Sequence, residues 1–156
     1  MEHKPGHYAS FWMRILAGII DFIVLLGLGI VTSFIIGFII GFISVLTESA
    51  AGFLFLESTM FIIGFSIVLS WLYVAILESS RNQATLGQMA LGLQITDLHE
   101  RRISFLRASA RFFSSYLSAF ILLVGYFMIL FTPRRQALHD VIADTLVIHK
   151  KHHHVL

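Results

Sequence analysis

Two apolar stretches in this chain are long enough to cross a lipid bilayer. The first, Phe22 to Ile43, is interrupted only by two hydroxyl residues and continues from a less apolar start at Phe11. The second runs from about Gly52 to Leu77. A helix needs about 20 apolar residues to span a hydrocarbon core of about 30 Å. We therefore expect two full transmembrane helices, with the turns before Phe22 lying in or near the membrane interface.

The composition agrees with a membrane protein and excludes several other classes. Of the 156 residues, 57% are hydrophobic and only 13% are charged, whereas soluble domains carry about 25% charged residues. So little polar surface excludes a soluble enzyme, a nucleic-acid-binding protein and a disordered chain. The absence of cysteine excludes disulfides and thiolate metal sites. The lipid bilayer is the expected partner, and no nucleic acid is expected.

A third hydrophobic segment, Phe105 to Thr132, determines the predicted topology. None of the 11 Lys and Arg residues lies between the first two stretches, which places the N-terminus in the cytoplasm. A single third crossing would export the four basic residues that follow the segment. A segment that enters and returns keeps them inside, although each arm is too short to cross. We predict a re-entrant segment or a short helical hairpin turning near Gly125, with a cytoplasmic C-terminus.

Three short segments have the pattern of strands. Gly92 to Asp97 and Arg102 to Phe105 flank a polar turn and predict a β-hairpin, and Asp144 to Ile148 predicts a third strand. The expected fold is an all-α integral membrane protein that carries a small cytoplasmic β-hairpin or three-stranded sheet. It forms one domain over residues 8–149, followed by a basic, histidine-containing tail over residues 150–156. The sequence shows no evident internal repeat.

Asp21 is the residue whose position most strongly suggests chemistry. A charged side chain at the bilayer centre costs at least about 2.5–3.5 kcal/mol, so this carboxylate needs a partner, a hydrated cavity or a proton. Arg14 lies two helical turns earlier on nearly the same face. One interpretation is an ion or proton site, where a carboxyl with a raised pKa exchanges a proton for a cation. The other is a structural ion pair of Asp21 with an arginine, which holds helices together.

A polar stripe opens the third segment, where Arg107 and Arg111 recur with serines on one helix face. The stripe is interpreted either as an interfacial helix whose arginines contact lipid phosphates or as the wall of a hydrated cavity shared with Asp21. Leu106 and Leu117 belong to the opposite face. Glu78, at the edge of the second stretch, is expected to be solvated.

A charged motif follows Pro133. Asp140 and Asp144 have the spacing of one helix face, and His139 is adjacent. This group could bind a cation or relay protons, or it could form a salt-bridge cluster at the membrane surface. The neighbouring positive charges are Arg134 and Arg135.

In its motifs the chain resembles the RDD family of small bacterial membrane proteins, named for one arginine and two aspartates. The segments YASFWMRILAGIID, LESSRNQATLGQMALGLQITD and FTPRRQALHDVIADTLVI are similar to its three motifs, in order. The resemblance places the arginine at Arg14 and the aspartates at Asp21 and Asp140. Asp144 departs from the family, which commonly has glycine there. The core residues of the middle motif are Thr85, Leu86, Gly87 and Gly92.

The resemblance implies an inner-membrane protein involved in transport, because some family members look like sodium–proton antiporters. In such an exchanger, Asp21 would exchange H⁺ for Na⁺, Arg14 would tune its pKa, and Asp140 would complete the site. A homo-oligomer would be needed to close a pathway. The alternative is a non-catalytic membrane scaffold that binds a partner protein or anionic lipid through Arg107 and Arg111. We expect no enzymatic activity, metal or cofactor, since the sequence contains no recognisable catalytic motif.

Overall fold

Two long helices contain the predicted transmembrane segments. The structure, a computed structural model, describes residues 8–47, 51–120 and 124–150. Helix α1 is Phe11–Thr47 and helix α2 is Ala51–Ser79. Their segments Phe11–Leu46 and Thr59–Ser79 are long and apolar enough to cross a membrane. Large apolar side chains of α1 are exposed, as at Phe34 (76%), and lipid acyl chains would cover such a surface. Both predicted helices are confirmed.

The remaining elements are short. The two strands pair antiparallel, with Ile95 opposite Val147 at the middle of the sheet. The N-terminal end of the described chain joins them, because Tyr8 forms a bridge with Ile148 and the Ala9 N–H donates to the Val147 carbonyl at 2.9 Å. In chain order the elements are α3 (Leu86–Ala90), β1 (Leu93–Asp97), α4 (Phe105–Phe120), α5 (Val124–Phe131), α6 (Leu138–Ile142) and β2 (Thr145–His149).

The predicted three-stranded sheet is wrong, because the sheet of the described residues has two strands. The stretch predicted as a strand from Arg102 is not one, and Phe105 begins α4. Local turn chemistry is the cause. The Asp97 carboxylate accepts the backbone N–H groups of His99 and Arg101, each at 2.8 Å, and so bends the chain directly after β1.

Helices α4 and α5 occupy the third hydrophobic segment. With 16 and 8 residues, they extend about 24 Å and about 12 Å, each less than the hydrocarbon core of about 30 Å. Helix α4 packs against α5 and α6. The predicted turn residue Gly125 lies within α5, and residues 121–123 between the helices are outside the described part of the chain. Entry of this segment into the membrane stays a prediction.

The described chain divides into two compact units. One is Phe22–Leu72 and the other combines residues 8–21 with residues 73–150. The second contains the sheet, whose Leu93, Ile95 and Leu146 side chains are buried. Glycines in a membrane helix can allow a second helix to approach closely. If a Cβ atom were added to any of the α1 glycines, it would lie more than 4 Å from every neighbouring described atom that could obstruct it. The structure therefore gives no support for close helix packing at these glycines.

Asp144 adopts a backbone conformation that favours glycine. Asp144 has φ +51° and directly follows Ala143, the C-cap of α6. Gly92 has φ +64° and directly follows the C-cap of α3. Such left-handed residues commonly end helices, and glycine adopts the conformation without a Cβ clash. This conformation explains why the family that the chain resembles commonly has glycine at this position.

We predict that Asp144→Gly stabilises the protein by about 0.5–1 kcal/mol, because glycine removes the cost of a left-handed non-glycine residue. Gly92→Ala should lower stability by about 1–2 kcal/mol for the converse reason. Thermal unfolding in detergent, followed by tryptophan fluorescence, measures both changes. A lower unfolding midpoint for Asp144→Gly would contradict this account of the turn.

Candidate functional site

Asp140, in the first turn of α6, is fully buried and is held by two guanidinium groups. Arg14 of α1 donates through Nη1 to Oδ2. Arg111 of α4 donates through Nε to Oδ1 at 2.9 Å. The backbone N–H of Ala137 donates to Oδ2 at 3.1 Å, so the carboxylate also caps the helix start. Asp140 therefore connects α1, α4 and α6.

Glu78, near the end of α2, completes a buried group of four charges, here called the charge cluster: Arg14, Glu78, Arg111 and Asp140. Arg111 Nη1 donates to Glu78 Oε1, and both side chains are buried. Two positive and two negative charges make the cluster neutral. Removing one buried charge would leave its partner uncompensated, at a cost of about 3–5 kcal/mol. The expectation that Glu78 is solvated is wrong, because its side chain is buried. The sequence does not show this, since its partner Arg111 lies far away along the chain.

The surroundings of α6 keep both of its titratable groups from changing charge near neutral pH. Burial would raise the pKa of Asp140, but the guanidiniums of Arg14 and Arg111 hold it well below its usual range. Burial lowers the pKa of His139 to about 4, although the Asp140 carboxylate at 3.5 Å opposes this shift. These shifts favour a charged Asp140 and a neutral His139 near pH 7.

Asp21 lies outside the charge cluster and binds the start of α3. Its Oδ1 accepts the Tyr73 hydroxyl at 2.7 Å and the Gly87 N–H at 2.8 Å. Its Oδ2 accepts the Thr85 hydroxyl at 2.6 Å. Among the described residues, no Lys or Arg forms an ion pair with Asp21. The ion pair considered from the sequence is not formed with Arg14, which binds Asp140 and the Arg135 carbonyl instead.

The Thr85–Leu86–Gly87 sequence has a clear structural reason. Thr85 is the N-cap of α3, where its hydroxyl accepts the Gln88 N–H at 3.4 Å. A Cβ at Gly87 would lie 2.1 Å from the Ala17 carbonyl oxygen and 2.9 Å from Asp21 Oδ2. Glycine is therefore required for the backbone to reach the Asp21 carboxylate.

A hydrogen-bond path connects Asp21 to the charge cluster. The Gln88 side chain accepts the Thr85 N–H at 2.9 Å and donates to Glu78 Oε1 at 3.2 Å. Thr85 in turn donates to Asp21. The positions of Glu78 and Asp21 are consequently set by the same short helix. The sequence does not show that Tyr73 binds Asp21 or that Gln88 binds Glu78, because these residues come together only through tertiary folding.

The α6 motif does not form the predicted carboxylate pair. The helix ends at Ile142, and the left-handed turn leaves Asp144 exposed while Asp140 is buried. Arg134 and Arg135 are exposed, and Arg135 contributes its backbone carbonyl rather than its charge. Asp140 forms its ion pairs with Arg14 and Arg111, within the fold, and both interpretations of the motif stay predictions.

The polar stripe of α4 faces the interior of its unit. Ser118 is buried and the Arg111 side chain is only 11% exposed, whereas Leu106 and Leu117 on the opposite face are exposed. Arg111 is engaged by Glu78 and Asp140, so its expected contact with lipid phosphates is wrong. Arg107 remains at the surface, 4.0 Å from the Asp97 carboxylate.

Comparison with known proteins agrees with these motifs. The sequence pattern described as the RDD family matches residues 8–144. An uncharacterized protein of Bacillus subtilis (strain 168), YxaI, is 35% identical over 155 residues, covering 91% of this chain and 97% of its own. An uncharacterized membrane protein of the same strain, YteJ, is 29% identical over 146 residues, covering 92% and 82%. No solved structure gives a significant match.

We predict that Gly87→Ala destabilises the protein by about 1–3 kcal/mol, because the added methyl overlaps a backbone carbonyl and the Asp21 carboxylate. Gly18→Ala, in α1, is the matched control, since its Cβ meets nothing within 4 Å. Thermal unfolding in detergent should separate the two variants. Equal midpoints would mean that the contact between Gly87 and Asp21 is not required.

We predict that stability rises with pH between about 4 and 6.5 because of His139. In this range the unfolded chain binds a proton at the histidine, whose ordinary pKa is 6.5, whereas the folded pKa is about 4. The resulting slope is about 1.4 kcal/mol per pH unit. Denaturant unfolding across this range measures it. His139→Gln should flatten the slope, because glutamine binds no proton in this range; an unchanged slope in this variant would contradict the assignment to His139.

Proposed function

Because this chain belongs to the RDD family, we propose that it is a membrane transport protein that exchanges protons for a small cation such as Na⁺ at Asp21. The observation that carries the proposal is the environment of this carboxylate. It lies in a candidate membrane span, it is surrounded by oxygen atoms, and no described cationic side chain pairs with it. A proton or a small cation would supply the missing positive charge.

The oxygen atoms around Asp21 suit a hard cation. Besides the carboxylate, the hydroxyls of Tyr73 and Thr85 lie within 2.7 Å of it, and each hydroxyl oxygen retains lone pairs. Oxygen ligands of this kind bind hard cations in preference to softer metals. A proton and a cation would compete for the same carboxylate. Binding of one therefore releases the other, which is the elementary step of an exchanger.

In this proposal the charge cluster holds the site in place and carries no transported ion. Both oxygens of Asp140 are engaged by guanidiniums, and its low pKa prevents protonation. Asp140 and Arg14 are therefore assigned to positioning α1 against α6. Arg14 does not contact Asp21, so it would influence that carboxylate only by fixing the helix.

The proposed orientation places the sheet in the cytoplasm. Tyr8, β1 and β2 are joined by backbone pairing, so they lie on one side of any bilayer that α1 and α2 cross. Exposed basic residues flank these elements, and basic residues remain on the cytoplasmic side of inner-membrane proteins. The exchanger would thus be multi-pass with both domain ends inside. A homo-oligomer would close the pathway around so few spans.

Ion flux across liposomes tests the exchange. Purified protein is reconstituted with a trapped pH dye, and Na⁺, Li⁺ and K⁺ are added in separate pulses. The wild type should give cation-dependent proton flux, and Asp21→Asn should abolish it because the amide cannot release a proton. Asp144→Asn, which neutralises an exposed carboxylate, should retain the flux.

Folding is checked by the thermal unfolding midpoint of each variant before flux is measured. Equal flux from wild type and Asp21→Asn would overturn the assignment of Asp21. No flux from correctly folded wild type would overturn exchange and favour the scaffold alternative. That alternative would depend on exposed arginines such as Arg107, since Arg111 is buried.

A further inference from the structure

The described chain contains an internal repeat of four elements. Helices α1, α2 and α3 followed by β1 have the same order as α4, α5 and α6 followed by β2. The second helix ends at Ser79 in one half and at Phe131 in the other, a separation of 52 residues. The same separation relates the starts of α3 and α6 and the starts of β1 and β2.

Backbone detail follows the same separation. Left-handed residues precede the short helices at Gln83 and Arg135, and others follow them at Gly92 and Asp144. The third residue of each short helix accepts the backbone N–H of its N-cap: Gln88 in α3 and Asp140 in α6. Two unrelated segments would not be expected to share these three features in register.

The sheet pairing is symmetric about the repeat. Ile95 and Val147 are corresponding residues of the two halves, and they lie opposite each other at the centre of the antiparallel pair. Antiparallel pairing of equivalent strands about equivalent residues is the geometry of a local two-fold axis. The two strands are therefore related as equivalent strands of two subunits in a symmetric dimer would be.

The first helices of the halves begin alike. Ser10 and Ser104 stand immediately before α1 and α4, and each serine hydroxyl accepts the backbone N–H three residues later, at 3.4 Å and 3.3 Å. A phenylalanine follows each serine, and a buried apolar residue precedes it. Helices α4 and α5 are thus the counterparts of α1 and α2, which contain the two candidate spans.

The surface of α4 and α5 has the polarity of a lipid-facing surface. Leu106 (78%) and Phe131 (85%) are strongly exposed, as are Leu117 and Leu130. On the other face of α4, Arg111 and its neighbouring serines are buried. A helix in water would have the opposite arrangement. Exposed arginines stand near both ends of the segment, at positions suited to anionic headgroups: Arg102, Arg107, Arg134 and Arg135.

We infer that α4 and α5 form a second, shortened membrane hairpin whose exposed apolar face contacts lipid acyl chains in the leaflet next to the sheet. Because β1 precedes the segment, β2 follows it, and the two strands pair, both ends of the segment lie on one side. The lengths of about 24 Å and about 12 Å permit entry into one leaflet but no full crossing. The inference does not depend on ion exchange.

Depth-dependent fluorescence quenching tests this contact. Trp12 and Trp71 are replaced by Phe, and a single tryptophan is introduced as Leu117→Trp in α4, with Leu130→Trp in α5 as a second variant. Each protein is reconstituted into phosphatidylcholine vesicles with or without brominated acyl chains, and aqueous iodide is the second quencher. Phe34→Trp in α1 and the exposed His99→Trp serve as controls.

Leu117→Trp and Leu130→Trp should lose most of their fluorescence in brominated vesicles and resist iodide, as Phe34→Trp should. His99→Trp should show the reverse. Quenching of both hairpin variants by iodide alone would show that the face contacts water, and would overturn the inference. Quenching by neither agent would also overturn it, because the face would then be covered by protein, for example a second copy of this chain.

Discussion

The pairing of Asp140 with two arginines holds together α1, α4 and α6 in the unit that contains the sheet. Arg14 comes from α1, Arg111 from α4, and Glu78 of α2 balances the remaining charge. Four segments that are far apart in the chain meet at one neutral group. Buried ion pairs contribute little compared with apolar packing, but breaking one is costly. The cluster therefore fixes one arrangement of helix ends rather than adding much stability.

Asp21 is held by a different kind of contact. Two hydroxyls and one backbone N–H surround it, and none of these donors carries a charge. The two conspicuous aspartates of the sequence thus have separate environments, one bound by arginines and one bound by uncharged donors. This difference is the reason why the proposed function gives Asp140 a positioning role and Asp21 a chemical role, although the resemblance to the family implies a shared site.

Elements with strong hydrophobic patterns could be predicted from the sequence, whereas contacts between distant residues could not. The two long helices follow from uninterrupted apolar stretches, and the strands around Ile95 and Val147 follow from local alternation. The strand expected from Arg102 failed because the Asp97 side chain bends the chain first. Glu78 and Tyr73 gave no local signal, since their partners lie in other elements.

The repeat also escaped detection in the sequence, because corresponding positions preserve backbone shape more than side-chain identity. A symmetric dimer of single halves would have to place every charge twice around its axis. Two halves in one chain have no such requirement: Gln88, which is uncharged, stands in one half where Asp140, which is charged, stands in the other. One carboxylate can then bind arginines from both α1 and α4. The difference in sequence between the two halves thus allows one charge cluster to lie beside a sheet with two-fold symmetry.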